Sequence, residues 1–400
     1  MGKRLNILMY SHDSFGLGHS SRTLAIASTI AAKIPQSRII IATGLSIFGK
    51  FKLPDNVEYV RFPGIRKISN KKYVSEKLDL KFNQIKKIRS QILKAVARTF
   101  KPNLFIVDKT PLGIKGELNS TLKYFHKHHP RTRIILGVRD ILDSPQTVKQ
   151  EWEESGVFDY LRRYYHEIWI YGDPEIYNFV EEYHIPSDIR EKMIFTGYLK
   201  KPVNFRRGML STSRKPAALN GSPMVLVTVG GGEDGYPVLD QYFKLLELSN
   251  GKYRHVIHYI YTGPFMPSHQ KKDLKERARK LPNVHIRTFS RHFLRTINQA
   301  DLVVSMGGYN TTAEILCYQK DAIIIPRVYP RQEQLIRAKI FEQKGIVKML
   351  KLEEMSPEIL DKHISEMLFG TNGKDPLRFA RVATNGLETI IERVRALANL

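Results

Sequence analysis

Short β-branched runs alternating with longer helical patterns, in two successive series, constrain this chain more than any other feature. In the first series the strand-like runs are 6–10, 38–42, 57–61, 104–107, 134–138 and 167–171, with helical stretches near 20–33, 75–100, 116–126 and 147–160. In the second they are 224–229, 255–261, 284–288, 302–305 and 322–326, followed by an amphipathic stretch from 376 to about 398. Continuous apolar runs of this length read as strands buried on both faces, and strand–helix alternation gives parallel sheets with crossover helices. The interval 200–223 has neither period and is rich in Pro, Ser and Arg, which makes it the natural linker. At 400 residues the chain also exceeds what one core usually organises. We therefore expect an α/β chain of two doubly wound, Rossmann-like domains, 1–199 and 224–375, joined by linker 200–223 and closed by a helix at 376–400. Ligands of such sheets bind outside the carboxyl ends of the strands, so two domains facing across a cleft put the default site in that cleft.

Lys and Arg number 64 against 39 Asp and Glu, a formal net charge of +25, and the surplus is regional. Residues 51–150 hold 22 Lys/Arg against 8 Asp/Glu, whereas 151–200 hold 5 against 11. Such a block suits phosphate, nucleic acid or an anionic membrane, or is a solvated surface without a partner. A hydrophobic content of 42% excludes a disordered chain. The single cysteine, Cys317, excludes a disulfide framework and multi-Cys metal clusters and fits a reducing compartment. Residues 5–10 are too short an apolar stretch for a signal-peptide core, and no apolar run approaches a membrane span, so the expected location is the cytoplasm.

The turn after the first strand reads Ser11-His12-Asp13-Ser14-Phe15-Gly16-Leu17-Gly18-His19-Ser20-Ser21-Arg22. Gly16 and Gly18 permit a tight turn, but the dinucleotide fingerprint fails because Ser21 stands in for its third glycine and no acid ends the second strand. His19 lies at the mouth of a βα turn, where an imidazole of ordinary pKa can take a proton near neutral pH; capping the Ser20 helix or bonding the loop are the alternatives. In the second half, Gly230-Gly231-Gly232 exposes backbone N–H groups just past a strand, where a diphosphate can approach. Residues 301–314 form a strand, a Gly307-Gly308 turn and a helix whose amides, with the Thr311 and Thr312 hydroxyls, suit phosphate. Glu314 is then placed to accept hydrogen bonds from ribose hydroxyls, unless it merely complements the helix dipole. Glu333 and Gln334 open a later helix with the paired acceptors and donors that sugar hydroxyls need. No Asp-x-Asp occurs, and His126, His128 and His129 lie in a basic segment without suitably spaced acids, so neither a required metal nor a resident cofactor is expected.

In this order the motifs resemble glycosyltransferases of the GT-B fold, most of all the family-28 group that includes the MurG-like N-acetylglucosaminyltransferases of peptidoglycan precursor synthesis. The likeness covers both halves and is strongest over 224–338, through the Gly-rich loop, Phe289 after a strand, the 307–314 stretch and the 333–338 element. It implies a nucleotide-diphosphate sugar, expected to be a UDP-sugar, on the C-terminal domain and an acceptor on the N-terminal one. By resemblance Gly231, Gly232, Gly307, Gly308, Thr311 and Thr312 meet the diphosphate, Phe289 the base through its backbone, Glu314 the ribose, and Glu333 with Gln334 the sugar. His19 matches the family's histidine in the first Gly-rich turn. That match implies a general base for inverting transfer of a hexose or N-acetylhexosamine, while the phosphate turn stabilises departing UDP. There are departures. Gly16-Leu17-Gly18-His19 replaces Gly-Gly-His, Arg337 stands where the family often has Asn, and residues 105–111 and 139–143 replace the acceptor loops of the peptidoglycan enzyme. A different acceptor, anionic or lipid-linked, is therefore expected, with Gly18, Asp108 and Asp140 as candidate contacts beside Asp143 and Asp173. Helix capping and turn formation compete for these acids.

A UDP-sugar epimerase or hydrolase of the same fold would use the nucleotide pocket without an acceptor. A non-enzymatic nucleic-acid binder would instead use the basic region, where Tyr59, Phe62, Tyr73 and Phe82 are interleaved, though no nucleic-acid motif accompanies them. The stretch 75–100 carries Leu78, Phe82, Ile85, Ile92, Val96 and Phe100 at helical spacing, with Lys77, Lys81, Lys86, Arg89, Lys94 and Arg98 around them. Core packing under solvated cations competes there with peripheral contact at the inner face of an anionic membrane.

Overall fold

The alternation of strands and helices folds as two parallel sheets, each in its own unit. The computed structural model describes residues 4–12, 18–67, 73–202, 221–290, 292–370 and 376–399. The first unit runs to Leu199 and resumes at Asn385; the second spans Lys200–Thr384.

In chain order the first unit holds β1 (Leu5–Tyr10), α1 (Gly18–Lys33), β2 (Ser37–Thr43), β3 (Val57–Arg61), β4 (Ile65–Lys67), β5 (Tyr73–Ser75), α2 (Phe82–Phe100) and β6 (Leu104–Asp108). There follow α3 (Asn119–His128), β7 (Arg133–Arg139), α4 (Pro145–Glu154), α5 (Val157–Tyr164), β8 (Glu167–Tyr171), the single turns α6 (Phe179–Glu182) and α7 (Ser187–Arg190), and β9 (Met193–Phe195). The sheet order is β3-β2-β1-β6-β7-β8-β9, parallel throughout. Its central strands are buried along their length because Ile, Val and Leu occupy both faces. Strand order reverses between β1 and β6, so the crevice at their carboxyl ends is this sheet's binding position.

Three local readings need correction. The helix expected from 75 begins at Phe82, because Tyr73–Ser75 pairs antiparallel with Ile65–Lys67 in a small hairpin. The helix expected over 147–160 is two, divided where Gly156 takes a left-handed conformation with φ 65°. Arg89, read among the solvated cations, instead lies in the inward stripe Ile85, Arg89, Leu93, Ala97 that the 3.6-residue period aligns on one face of α2. Its Nε and Nη2 donate to Glu117 at 2.6 and 2.9 Å, its Nη1 donates to the Pro63 carbonyl at 3.0 Å, and the Tyr10 hydroxyl completes the cluster on Glu117. A buried guanidinium is tolerated only with such complete pairing.

The second unit runs β10 (Met224–Thr228), α8 (Tyr236–Leu248), β11 (Ile257–Tyr261), α9 (Ser268–Ala278), β12 (Val284–Arg287), α10 (Phe293–Gln299) and β13 (Leu302–Ser305). It continues with α11 (Tyr309–Cys317), β14 (Asp321–Ile324), α12 (Glu333–Gln343), β15 (Lys348–Met349) and α13 (Pro357–Phe369). Its order, β12-β11-β10-β13-β14-β15, is again parallel, with the switch point between β10 and β13. Val225, Val227, Leu239, Phe243, Ile260, Val304 and Leu360 are part of one apolar core beneath it.

Of the expected linker, 203–220 lies outside the described residues. The final helix starts later than 376: Pro376–Phe379 is a short 3-10 turn, and α14 is Gly386–Ala398. It rejoins the first unit, where it meets α1, bonds Glu167 through Arg393, and donates from the Gly386 amide to the Tyr198 carbonyl at 3.1 Å. A Cβ on Gly386 would sit 2.4 Å from the Gly197 carbonyl oxygen, so only glycine allows this return. No helix among the described residues is long and apolar enough to cross a membrane.

Candidate functional site

In the first unit the switch point gathers His19, from the first turn of α1, and Asp108, the last residue of β6. The Asp108 Oδ2 lies 2.5 Å from His19 Nδ1, and Arg22 donates from Nε (3.0 Å) and Nη2 (2.5 Å) to Oδ1. Burial alone would raise the Asp108 pKa, but Arg22 and then His19 hold it well below the usual carboxylate range. The carboxylate is therefore only an acceptor, and the hydrogen between it and His19 belongs to Nδ1. The Arg22 Nη2, 2.9 Å from the same Nδ1, is then a close contact rather than a donor to it. Burial pushes the His19 imidazole down to about 4 against the pull of Asp108, with Lys109 and Arg22 adding to the fall. At neutral pH the ring is thus uncharged, with the Nε2 lone pair left to receive a proton. The side chain keeps 15% of its surface exposed, enough for access. His12 packs edge-on against it at 5.6 Å and is bonded through Nδ1 to the Thr110 hydroxyl at 2.7 Å.

The other acids named for the acceptor are engaged in local structure. Asp140 is buried; its Oδ1 accepts from the Ile141 amide at 2.7 Å and its Oδ2 from the Tyr198 hydroxyl at 3.1 Å. Asp143 accepts from the Ser144 amide and Asp173 from the Glu175 amide, each at 2.9 Å. The Asp173 bond is an Asx-turn geometry, whereas Asp140 also bonds Tyr198, 58 residues on in the chain. Gly18 is exposed at the start of α1.

In the second unit both Gly-rich turns follow the switch-point strands β10 and β13. Gly230 and Gly232 adopt φ of 63° and 89°, and a Cβ at Gly232 would fall 1.9 Å from the Thr262 carbonyl. The turn is locked by Phe265 N donating to Gly231 O (2.9 Å) and Gly232 N donating to Val229 O (3.2 Å). The Gly307 amide donates to Ser305 Oγ and its carbonyl accepts from Arg337 Nη1, both at 3.2 Å. Gly308 caps α11 with open space around any added Cβ and with φ −61°, which any residue adopts. The amides of the first turn of α11 lie at the positive end of its dipole. Thr311 is half-buried, whereas the Thr312 hydroxyl is buried and donates to the Gly308 carbonyl at 3.0 Å.

Glu314 is the sixth residue of α11, beyond the first turn where the dipole acts most strongly. Its Oε1 accepts from Lys201 Nζ at 2.9 Å. Glu333 begins α12 with Oε1 3.5 Å from Arg327 Nη2, and Gln334 Oε1 accepts from the Arg327 amide at 3.0 Å. Arg327 also donates to Asp234 at 3.2 Å, tying this helix start to the loop after Gly232. Phe289 is exposed just past β12. Among the described residues no group of three or more His, Cys, Asp or Glu is arranged to hold a metal ion.

Residues 224–394 match the glycosyltransferase family 28 C-terminal domain, a span that starts at β10 and ends within α14. The chain carries a family-28 glycosyltransferase C-terminal domain on a GT-B fold. It is 28% identical over 199 residues to the UDP-N-acetylglucosamine–N-acetylmuramyl-(pentapeptide) pyrophosphoryl-undecaprenol N-acetylglucosamine transferase of Bacillus cytotoxicus, covering 49% of this chain and 52% of that protein. It is 24% identical to transferase 1 of the same name from Bacillus cereus over 60% of this chain and 63% of that one. This chain thus spans from about half to under two thirds of those relatives. Among solved structures, Acinetobacter baumannii MurG matches with a TM-score of 0.60 at 12% identity over 98% of this chain and 100% of that one. The UDP-GlcNAc 2-epimerase of Neisseria meningitidis matches with 0.58 at 12% over 99% and 100%; at such identities these likenesses establish the fold alone.

The residues that sequence reasoning singled out lie at the carboxyl ends of strands of the two sheets, in the loops there, or in the helices that follow. It missed Arg22, Lys201, Arg327 and Asp234, and it did not see that Asp108 holds His19. The only sequence signal was Arg22 three residues after His19, on the same face of α1. Arg337 is buried and supports the Gly307 turn through that residue's carbonyl.

Proposed function

We propose that this chain transfers a hexosyl or N-acetylhexosaminyl group, with inversion, from a UDP-sugar held by the second unit to an acceptor hydroxyl deprotonated by His19 of the first. The observation that carries this reading is the His19–Asp108 pair: a neutral imidazole, its Nδ1–H fixed on an ionised carboxylate, at the switch point of a family-28 chain. His19 Nε2 takes the acceptor proton as the oxygen attacks the anomeric carbon, and the bond to the diphosphate oxygen breaks with its electron pair leaving on UDP. The α11 N-terminus, with Gly307 held by Arg337, meets the charge that develops on the leaving diphosphate. Glu314 receives the ribose hydroxyls, Glu333 and Gln334 the sugar, and the Phe289 backbone the base. The relatives' UDP-N-acetylglucosamine names support a uridine donor, and the surplus of cations over 51–150 supports an anionic or lipid-linked acceptor, met peripherally at a membrane surface. No metal enters this chemistry.

The test is a thermal-shift screen of nucleotide sugars followed by product analysis. UDP-N-acetylglucosamine is expected to stabilise the chain and to remain intact until an acceptor, supplied as membrane lipid extract, is added. Rapid appearance of an epimer or of free sugar without acceptor overturns transfer in favour of epimerisation or hydrolysis.

Gly308→Ala gives a second expected outcome. The empty space and ordinary φ at this position leave the melting temperature within about 2 °C of wild type, since no contact or strain is introduced. A methyl group where the diphosphate must approach the α11 amides raises the UDP dissociation constant at least tenfold, read by calorimetry. Unchanged UDP affinity would place the diphosphate elsewhere.

A further inference from the structure

We infer that Lys201 is a positioning residue of the donor site: it holds the Glu314 carboxylate in the orientation that receives the ribose hydroxyls. This rests on the reading of the second unit as the nucleotide-sugar site.

Lys201 is the second residue of that unit, in a stretch whose composition marks it only as linker. Lysine is almost never fully buried unless paired, yet this side chain keeps only 10% of its surface exposed. Two bonds hold it to the last turn of α11, one at Glu314 and one at Tyr318, the residue that caps the helix. Nζ donates to Glu314 Oε1 at 2.9 Å, and the Lys201 carbonyl accepts from the Tyr318 hydroxyl at 2.6 Å. Glu314 and Tyr318 are four residues apart, so they stand one above the other on the helix surface. The lysine is thereby fixed at its backbone as well as at its charge. A carboxylate offers about four lone-pair sites, and a single ammonium contact leaves acceptors for two neighbouring hydroxyls. With Lys201 in place the side chain of Glu314 is ordered before ligand arrives, so binding a diol costs less conformational freedom.

The measurement is calorimetric binding of UDP and of 2′,3′-dideoxy-UDP to the full chain. Wild type is expected to bind UDP more tightly than the dideoxy analogue. Lys201→Met is expected to weaken UDP about tenfold and leave the analogue unchanged, and Lys201→Arg to recover most of the loss. Because Lys201→Met strands a buried carboxylate and risks the fold, the double variant Lys201→Met/Glu314→Gln is measured beside Glu314→Gln. If Lys201 acts through Glu314, the double variant loses no more UDP affinity than Glu314→Gln alone. Equal loss of both nucleotides in Lys201→Met, or additive losses in the double variant, reduces Lys201 to a structural tie and overturns the inference. Wild type that binds both nucleotides equally overturns it as well, while nucleotide binding itself stands. Wild type that binds no UDP overturns the donor reading on which it depends.

Discussion

His19→Ala is expected to lower acceptor-dependent UDP release by about 10³-fold while the UDP dissociation constant stays within about twofold of wild type, because a positioned base contributes roughly 10²–10⁴ and the proposed donor site belongs to the second unit. The pH profile adds an independent readout. The base acts in its neutral form, and burial sets the His19 pKa at about 4. The acid limb of kcat/KM in wild type therefore falls as pH drops through about 4, not through the ordinary histidine value near 6.5, and the rate is flat from there to neutrality. His19→Ala loses this limb along with the activity. The same depressed pKa makes His19 a source of acid lability. Between about 6.5 and 4 the unfolded chain binds a proton at this position and the folded chain does not, so stability falls as pH falls across that window. His19→Ala should then lose less melting temperature than wild type between pH 6.5 and 4. Full transfer by His19→Ala would remove the base assignment, and an acid limb near 6.5 in wild type would contradict the buried, neutral ring.

Much of the sheet architecture is legible because each strand is a local apolar run bounded by turn residues, and the two Gly-rich turns announce themselves by composition. The elements that escape are those decided by distant partners or by one backbone angle. The helical stretch read from 75 starts seven residues late because 73–75 pairs with 65–67, and Gly156 splits one amphipathic pattern into two helices by taking a positive φ. The C-terminal helix has an unambiguous period but no local mark of its destination, which the Gly386 approach and the Arg393–Glu167 pair determine. The site divides the same way. His19, Gly308, Glu314 and Glu333 stand in local motifs. Asp108 was legible only as an acid at a strand end, because the histidine that it orients lies 89 residues earlier in the chain. Arg89 shows the converse: by composition it belongs to a basic surface, and only the position of Glu117 across the fold turns it inward. A regional charge count therefore overstates the cationic surface of α2 by the residue that most firmly anchors it.

Asp108→Asn tests whether that distant acid is a positioning residue for the base or a contact for the acceptor. The carboxylate accepts from His19 Nδ1–H on one oxygen and from Arg22 on the other. An amide at this position can turn its NH₂ toward Nδ1, which then becomes the acceptor and shifts the ring hydrogen to Nε2, the atom that must be bare to act. Transfer is expected to fall about 10²–10³-fold with UDP affinity unchanged. Any acid limb that remains should move below about 4, because the charge that raises the His19 pKa is gone while Arg22 and Lys109 remain. Arg22, itself buried, loses its counter-charge, so the single variant should also lose about 3–5 kcal/mol of stability. Adding Arg22→Met separates the two effects: the double variant should regain most of the melting temperature and none of the transfer rate. A contact for the acceptor would act differently, raising the acceptor KM with the kcat pH profile unmoved. A folded Asp108→Asn chain with transfer within about threefold of wild type would show that His19 finds its working tautomer without Asp108.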